Sequence, residues 1–313
     1  MRTHRLSHRA RVLVYLAGWR LVRVLPERLA YALFALVADV AWWRRGASVA
    51  RLEANLARAR PGLDDAGLHL LSRDGLRSYA RYWCEAFRLP TWSSQRLLAT
   101  VRAEGDEPVR AELAAGRGVV MALAHQGNWD HAGAWSTLAL APVTTVAERL
   151  EPEELFSAFL RFRERLGMTI LPLAGGPPVF PTLVRALRDG AFVPLLADRD
   201  LTSTGVEVTL LGERARMAAG PAMLALTSKV ALFPVTIRYE RLPTGSPARW
   251  GQVVHFHPRV EVPRGGTPAE KALAMTQAYA DALSAGIAEY PQDWHMLHRV
   301  FTADLDSRPT VAP

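Results

Sequence analysis

Half of the 313 residues are apolar, which is enough to bury one large core or two modest ones. The single cysteine, Cys84, excludes a disulfide framework and a zinc cluster made of thiolates. The net charge of +8 is concentrated at one end: twelve arginines and three acidic residues give residues 1–60 a charge of +9, and the rest of the chain is close to neutral.

Residues 1–60 interleave these arginines with apolar residues and tryptophans. We interpret them as basic amphipathic helices, part of the same domain as the rest of the chain, that can lie on an anionic membrane surface. The longest apolar run, residues 29–43, contains Asp39 and is shorter than a transmembrane helix requires. A signal peptide is not indicated, because Arg20 and Arg23 follow the first apolar stretch without a small-residue cleavage site. Nucleic acid is not expected as a partner, since no recognition motif accompanies the charge.

The pattern changes near residue 115, from mainly helical spacing to short apolar runs that alternate with helical stretches. Strands are predicted at 119–124, 144–147, 169–173, 192–197, 206–211, 232–238 and 253–256. Helices are predicted at 131–140, 152–166, 178–189, 217–229 and 268–289. This alternation favours the α/β class, with a single domain whose central mixed, mainly parallel sheet is flanked by helices. Residues 61–303 form the main part of that domain, and the polar tail 304–313 is expected to fray.

His125 and Asp130 follow the apolar run 119–124. His125 would emerge at the carboxyl end of a buried strand, where α/β folds place their ligands. A neutral imidazole can accept a proton from a hydroxyl, and a carboxylate on the other ring nitrogen fixes the tautomer. The alternative is a strand-end histidine followed by an aspartate that stabilises a helix dipole. The spacing alone does not decide between them.

Charged residues also follow two other predicted strands. Asp198, Arg199 and Asp200 come after the strand 192–197, so Asp198 could lie near His125 and Asp200 could organise the loop; a solvated ion-pair turn is the alternative. Arg149 follows the strand 144–147, and its alternative is an ordinary surface arginine.

Two further segments contain groups that can bind anions. Arg161, Arg163 and Arg165 alternate near a helix end, where such residues are usually solvated but could hold the phosphates of coenzyme A or of a phospholipid. Residues 212–221 read as a polar turn before an Ala-rich helix, whose first N–H groups could take an anion.

Several chemistries are disfavoured by missing motifs. No Gly-x-Ser-x-Gly elbow, phosphate loop or Gly-x-Gly-x-x-Gly fingerprint is present, which argues against a serine hydrolase, an NTPase and a dinucleotide-binding enzyme. His255 and His257 share a strand face, but no third metal ligand is obvious, so no metal is predicted.

The order of several blocks resembles the bacterial lysophospholipid and lipid A acyltransferase group, and more closely the actinobacterial phosphatidylinositol mannoside acyltransferases. The blocks are residues 77–83, 85–88, 125–130, 161–167, 198–208, 212–221 and 291–301, the last with Trp294 and His298. The His-x4-Asp box at 125–130 is similar to the mannoside branch, whereas lipid A members more often have Glu at its end.

This resemblance implies transfer of a long acyl chain, typically palmitoyl, from acyl-CoA to the mannose 6-hydroxyl of an anionic glycophospholipid. The enzyme would work as a peripheral protein at the cytoplasmic face of the plasma membrane, with acyl-CoA as co-substrate and no other cofactor. No covalent acyl-enzyme is expected.

The resemblance also implies roles for individual residues. His125 would be the general base, Asp130 its orienting partner and Asp198 a second acidic catalytic residue. The positions that resemble substrate contacts are Arg163, Thr204 and Thr227, and Arg149 and Asp200 are further candidates at the strand ends. The alternatives are an acyltransferase acting on a lipid A precursor or a lysophospholipid, and a non-catalytic peripheral lipid-binding protein.

Overall fold

A mixed sheet lies at the centre of the computed structural model, which describes residues 18–147, 153–173, 178–200 and 205–305. In chain order, its strands are β1 (Val101–Glu104), β2 (Val119–Leu123), β3 (Thr144–Ala147), β4 (Thr169–Pro172), β5 (Phe192–Leu196), β6 (Val206–Leu210), β7 (Glu213–Met217), β8 (Ala231–Arg241) and β9 (Trp250–Phe256). Five of them form the central sheet in the order β1-β9-β8-β2-β5, and every neighbouring pair is parallel except the hairpin β8–β9.

Helices cover the sheet and form the amino-terminal part of the molecule. They are α1 (Glu27–Trp43), α2 (Ala47–Ala59), α3 (Asp65–Arg88), α4 (Ser94–Ala99), α5 (Glu107–Ala114), α6 (Trp129–Ala139), α7 (Glu153–Arg165), α8 (Val179–Arg188), α9 (Gly220–Ser228), α10 (Pro268–Glu289) and α11 (Thr302–Leu305). Short 3-10 turns follow α3 at Leu89–Thr91 and α10 at Pro291–Asp293. Residues 18–24 are also helical.

The predicted fold class is confirmed: the chain forms a single α/β domain with a mixed, mainly parallel sheet. The central strand β2 is wholly buried, as its apolar sequence predicts, and pairs with β5 on one side and β8 on the other. The pair β3–β4 adjoins β5 through a parallel bridge between Val143 and Phe192, while β6 and β7 form a separate antiparallel hairpin.

Two strands were not predicted. β1 lies in the segment predicted to be helical, and β7 occupies the part of 212–221 predicted to be a polar turn. β1 is four residues long and two of them are charged, and in β7 buried Ala215 and Met217 alternate with two arginines. β1 pairs with distant β9 and β7 with adjacent β6, but neither contains the apolar run by which the other strands were recognised.

Capping residues fix the start of two helices, α10 and α3. The side chain of Thr267 accepts from the Glu270 N–H, Glu270 binds back to the Thr267 N–H, and Pro268 fills the first helical position of α10. At the start of α3, Asp64 accepts from the Gly67 N–H at 2.8 Å.

The amino-terminal helices belong to the same body as the sheet. α1 and α2 both pack on α3, with Leu52, Leu56 and Leu76 in a small apolar cluster. No helix among the described residues is long and apolar enough to cross a membrane.

The tail predicted to fray, residues 304–313, overlaps the last helix of the structure. Asp304 lies in α11 and pairs with Arg51 at 2.7 Å and Arg58 at 3.1 Å. These two ion pairs to α2 hold the end of the described chain in place. Residues 306–313 lie outside the described residues.

The contact between α1 and α3 includes a carboxylate shared by two arginines. The Asp39 carboxylate accepts hydrogen bonds from Nε of Arg73 at 2.9 Å and from Nε of Arg77 at 2.7 Å. It also accepts from the Nη2 atom of each arginine. The hydrogen bonds from Arg77 and then Arg73 lower the pKa of Asp39 to about 2. The folded state therefore gains stability from the ionised carboxylate above pH 4, and this gain is lost as the pH falls toward 2.

We expect Asp39→Asn to lower the free energy of unfolding at pH 7 by about 1 kcal/mol, a value reduced for the partial exposure of the ion pairs. Urea denaturation at several pH values measures this loss, which should shrink below pH 4. Asp74→Asn, at an exposed position of α3, is the control and should change stability by less than about 0.5 kcal/mol. An equal loss at pH 7 and pH 3 would contradict the charge explanation.

Candidate active site

His125 and Asp198 meet at the carboxyl edge of the central sheet. β2 and β5 are parallel neighbours in which Leu123 is paired with Leu196, so the residues two positions beyond each strand lie side by side. The Nδ1 atom of His125 is 2.5 Å from Oδ1 of Asp198, and the backbone N–H of His125 donates to Oδ2 at 2.9 Å. The structure thus brings together two of the predicted site residues.

Asp198 is completely buried, and a third donor reaches it. The indole Nε1 of Trp294 donates to Oδ2 at 2.9 Å. Burial acts to raise the pKa of Asp198, but the charge of His125 and the hydrogen bonds from His125 and Trp294 outweigh it and lower the pKa. An ionised Asp198 favours the tautomer of His125 with the proton on Nδ1, which leaves Nε2 to accept a proton from a substrate.

Asp130 is not the partner of His125, which corrects the prediction from the His-x4-Asp spacing. α6 begins at Trp129, so Asp130 lies in its first turn and its carboxylate points to α7 and α3. It accepts from Nε of Arg163 at 2.7 Å and from the hydroxyl of Tyr82 at 2.9 Å. The spacing of five residues predicted a helical neighbour, but His125 lies before the helix.

The ion pair between Asp130 and Arg163 is largely shielded from solvent. Asp130 is 2% exposed and the Arg163 side chain 20%. Burial opposes the charge on Arg163, but the Asp130 carboxylate raises the pKa of Arg163 above its usual value. Burial and then Asp130 also raise the pKa of Tyr82 well above its usual value, so its hydroxyl remains a donor. Losing one member of such a pair typically costs about 3–5 kcal/mol.

Aromatic rings join the two clusters. Tyr82 stacks on Trp129 with ring centroids 4.1 Å apart, and Trp129 contacts the His125 ring edge to face at 5.5 Å. The Asp130 cluster therefore supports the position of His125 through packing, without a hydrogen bond to it.

Residues 291–295, which follow α10 and are called the carboxy-terminal turn, hold the loop between β2 and α6. The His295 N–H donates to the carbonyl of His125 at 2.7 Å, and the Gly127 N–H donates to the carbonyl of Asp293 at 2.9 Å. Gly127 has a φ of +61°, and a Cβ there would lie 2.5 Å from Cγ2 of Ile237. Glycine is therefore required at this position.

A third buried carboxylate of this region, Glu85 of α3, holds the start of α6. It accepts from Asn128 Nδ2 at 2.9 Å, from the Tyr31 hydroxyl at 2.8 Å and from the Tyr239 hydroxyl at 3.1 Å. Asn128 also caps α6 by accepting from the His131 N–H. Burial raises the pKa of Glu85, against the opposing effect of the Asn128 hydrogen bond.

Trp294, Asp293 and Glu85 were not predicted as site residues. Their contacts join segments more than forty residues apart, so no local pattern shows them. The available signal was the close succession of Asp293, Trp294 and His295, where polar and aromatic side chains that suit a buried site are adjacent.

The remaining residues that were predicted to contact substrate are Thr227, Asp200, Arg149 and Thr204. Thr227 is exposed near the end of α9, just before β8 begins beside Val119, so it lies at the edge of the sheet opposite His125. The structure therefore does not bring Thr227 to the site. The Asp200 carboxylate accepts from the Gly205 N–H at 3.0 Å. Arg149 and Thr204 lie outside the described residues.

The histidines of β9 make ordinary polar contacts. His255 lies 3.3 Å from Glu104, and His257 lies 2.9 Å from the Thr236 hydroxyl. Within the described ranges, no group of three or more His, Cys, Asp or Glu side chains is arranged to hold a metal ion.

Comparison with known proteins assigns the chain to a family. The model of the family described as "Bacterial lipid A biosynthesis acyltransferase" matches residues 2–303. The chain belongs to this family. The resemblance noted in the sequence is thereby confirmed, and membership places the protein among acyltransferases.

Two similar proteins carry the name phosphatidylinositol mannoside acyltransferase. One, from Mycolicibacterium smegmatis (strain ATCC 700084 / mc(2)155), is 44% identical over 294 residues, covering 93% of this chain and 91% of that protein. The other, from Mycobacterium tuberculosis (strain CDC 1551 / Oshkosh), is 42% identical over 294 residues, covering 93% and 88%.

We expect Asp198→Asn to lower kcat for acyl transfer about a thousandfold, with little change in KM. An amide has the size of the carboxylate but cannot stabilise the imidazolium that forms on His125. Initial rates and a thermal unfolding curve for each variant separate catalysis from folding.

Asp130→Asn should behave differently. It weakens the ion pair to Arg163 and is expected mainly to lower the unfolding temperature and raise KM. Asp189→Asn, at an exposed position after α8, serves as the control and should keep kcat within about threefold. Full kcat in Asp198→Asn, combined with a thousandfold loss in Asp130→Asn, would restore Asp130 as the orienting residue and refute the assignment made from the structure.

Proposed function

We propose that this protein transfers a long acyl chain, palmitoyl in the simplest case, from acyl-CoA to the mannose 6-hydroxyl of a phosphatidylinositol mannoside. The observation that carries the proposal is the pair formed by His125 and buried Asp198 at the carboxyl edge of the sheet. Family membership supports the acyl transfer, and the names of the two mycobacterial relatives support the acceptor.

In the proposed reaction, Nε2 of His125 removes the proton from the acceptor hydroxyl as its oxygen attacks the thioester carbonyl. The new C–O bond gives a tetrahedral oxyanion, which collapses with cleavage of the C–S bond. The proton on His125 then passes to the departing thiolate. Asp198 stabilises the imidazolium throughout, and neither a covalent acyl-enzyme nor a cofactor besides acyl-CoA is invoked.

Arg163 is proposed to contact the acceptor. Its guanidinium is fixed by Asp130, and one-fifth of the side chain remains exposed. A positioned guanidinium with unused N–H groups suits a phosphate or sugar oxygen of a glycophospholipid.

We further propose that the enzyme lies peripherally on the cytoplasmic face of the plasma membrane. α1 supports this location because one of its faces is apolar and exposed. Its residues are Leu29, Leu33, Leu36, Val37, Val40 and Trp43, and Trp43 is 78% exposed. Such a face can insert its side chains at the boundary between headgroups and acyl chains.

The proposed base is tested with purified wild-type protein and His125→Ala, each given labelled palmitoyl-CoA. The acceptors are phosphatidylinositol mono- and dimannoside, a lipid A precursor and a lysophospholipid. Label should appear on a mannoside, and His125→Ala should reduce kcat by about 10²- to 10⁴-fold, as for loss of a general base. His255→Ala, at a histidine paired with Glu104 on β9, should stay within about twofold of wild type.

The acceptor panel also separates the alternatives. Label on a lipid A precursor or a lysophospholipid alone would replace the acceptor and retain the chemistry. No label and no release of CoA would refute the enzymatic proposal in favour of a lipid-binding protein. Full activity in His125→Ala would refute the role of the base.

A further inference from the structure

A pocket of about 280 Å³ lies between α1, α3 and the hairpin β8–β9, apart from the catalytic pair. Five arginines line it: Arg28, Arg77, Arg81, Arg241 and Arg249. No carboxylate is among its lining residues. α3 separates the pocket from the site, since Tyr82 reaches Asp130 while the adjacent Arg81 reaches Trp250 on β9.

Ion pairs neutralise only part of the positive charge in this pocket, and the charge of Arg81 also acts to lower the pKa of the buried carboxyls of Glu85 and Asp293. Arg77 shares Asp39 with Arg73, but the other four arginines form no ion pair with any described residue. Burial and then the neighbouring charges of Arg249 and Arg81 lower the pKa of Arg241. Guanidinium groups gathered in this way repel each other, and a bound anion would relieve that repulsion.

Stacking orients the guanidinium groups before any ligand arrives. Arg81 lies 3.7 Å from the centre of the Trp250 ring and Arg241 lies 4.2 Å from it. Arg81 also lies 4.6 Å from the Tyr239 ring. Such contacts limit rotation of the long side chains, so less entropy is lost when they bind an anion.

An apolar surface adjoins the pocket. Ala32 and Ala35 of α1 form part of its wall, while Leu29, Leu33 and Leu36 are exposed on the neighbouring face of the same helix. A ligand here therefore meets a charged pocket beside a surface that suits hydrocarbon. This combination matches an amphiphile with an anionic head.

We propose that the pocket binds the phosphate headgroup of an anionic phospholipid, as a docking site separate from the catalytic one. The proposal rests on the peripheral membrane location proposed above. The arginines would bind the phosphate oxygens, and the exposed residues of α1 would contact the acyl chains. One bound lipid would thus fix the orientation of α1 and α3 on the membrane.

The first test compares vesicle binding by wild type and Arg241→Gln/Arg249→Gln. The vesicles are phosphatidylcholine with one-third phosphatidylglycerol, and binding is measured by flotation. We expect the double variant to lose about thirtyfold in affinity, as removal of two arginines near an anionic surface implies. Arg185→Gln/Arg264→Gln removes the same charge at exposed positions outside the pocket and should lose less than threefold. Equal losses in the two double variants would overturn the proposal.

A second variant tests the pocket while keeping every charge. Ala35→Phe places a ring in the pocket and adds apolar surface to α1. A specific headgroup site predicts at least a fivefold loss of affinity for the vesicles, whereas non-specific attraction predicts no loss. Circular dichroism establishes that each variant is folded. Unchanged vesicle binding by folded Ala35→Phe would overturn the proposal.

Titration with soluble phosphate compounds tests whether the pocket binds a lipid headgroup or a free phosphate compound. Coenzyme A and inorganic phosphate are titrated into wild type and Arg241→Gln/Arg249→Gln by calorimetry. Retained coenzyme A affinity together with lost vesicle affinity supports the lipid assignment, while lost coenzyme A affinity with retained vesicle binding overturns it. The vesicle assay contains neither acyl donor nor acceptor, so its outcome does not depend on whether the proposed acyl transfer is correct.

Discussion

The parallel pairing of β2 with β5 is the constraint on which the candidate site depends. It brings together the residues that follow the two strands, although they are 73 positions apart in the chain. Asp198 then accepts from three N–H groups, two of His125 and one of Trp294. Because burial of a carboxylate is unfavourable without such donors, the ionised Asp198 depends on the loop, the strand and the carboxy-terminal turn together.

Two other carboxylates support the same loop in contrasting ways. The Asp130 carboxylate forms a largely buried ion pair with the guanidinium of Arg163, beside the site. Glu85 is surrounded by hydroxyl and amide donors, and burial raises its pKa. The ion pair between Asp130 and Arg163 thus joins α6 to α7, and the hydrogen bond between Asn128 and Glu85 holds the start of α6.

The sequence predicted the parts of this structure that depend on local pattern. The helix 268–289 agrees with α10 because its capping residues lie beside the apolar repeat, and the strand 144–147 agrees with β3. The predictions failed where no apolar run marks the element or where distant segments meet. Charged residues make up two of the four residues of β1 and three of the five of β7, and His125 finds its partner after another strand instead of in the next helix. The His-x4-Asp box contains His125 of the candidate site, but a spacing cannot show which ring nitrogen meets which carboxylate.

The three donors to Glu85 have a consequence for where this molecule can be divided. Tyr31 comes from α1, Asn128 from the catalytic loop and Tyr239 from β8, and all bind one carboxylate on α3. A protein shortened by its first sixty residues would lose one of these donors and expose the α1-facing side of α3 to water. The amino-terminal helices are thus a wall of the α/β domain, and removing them would uncover apolar side chains of α3 such as Leu76.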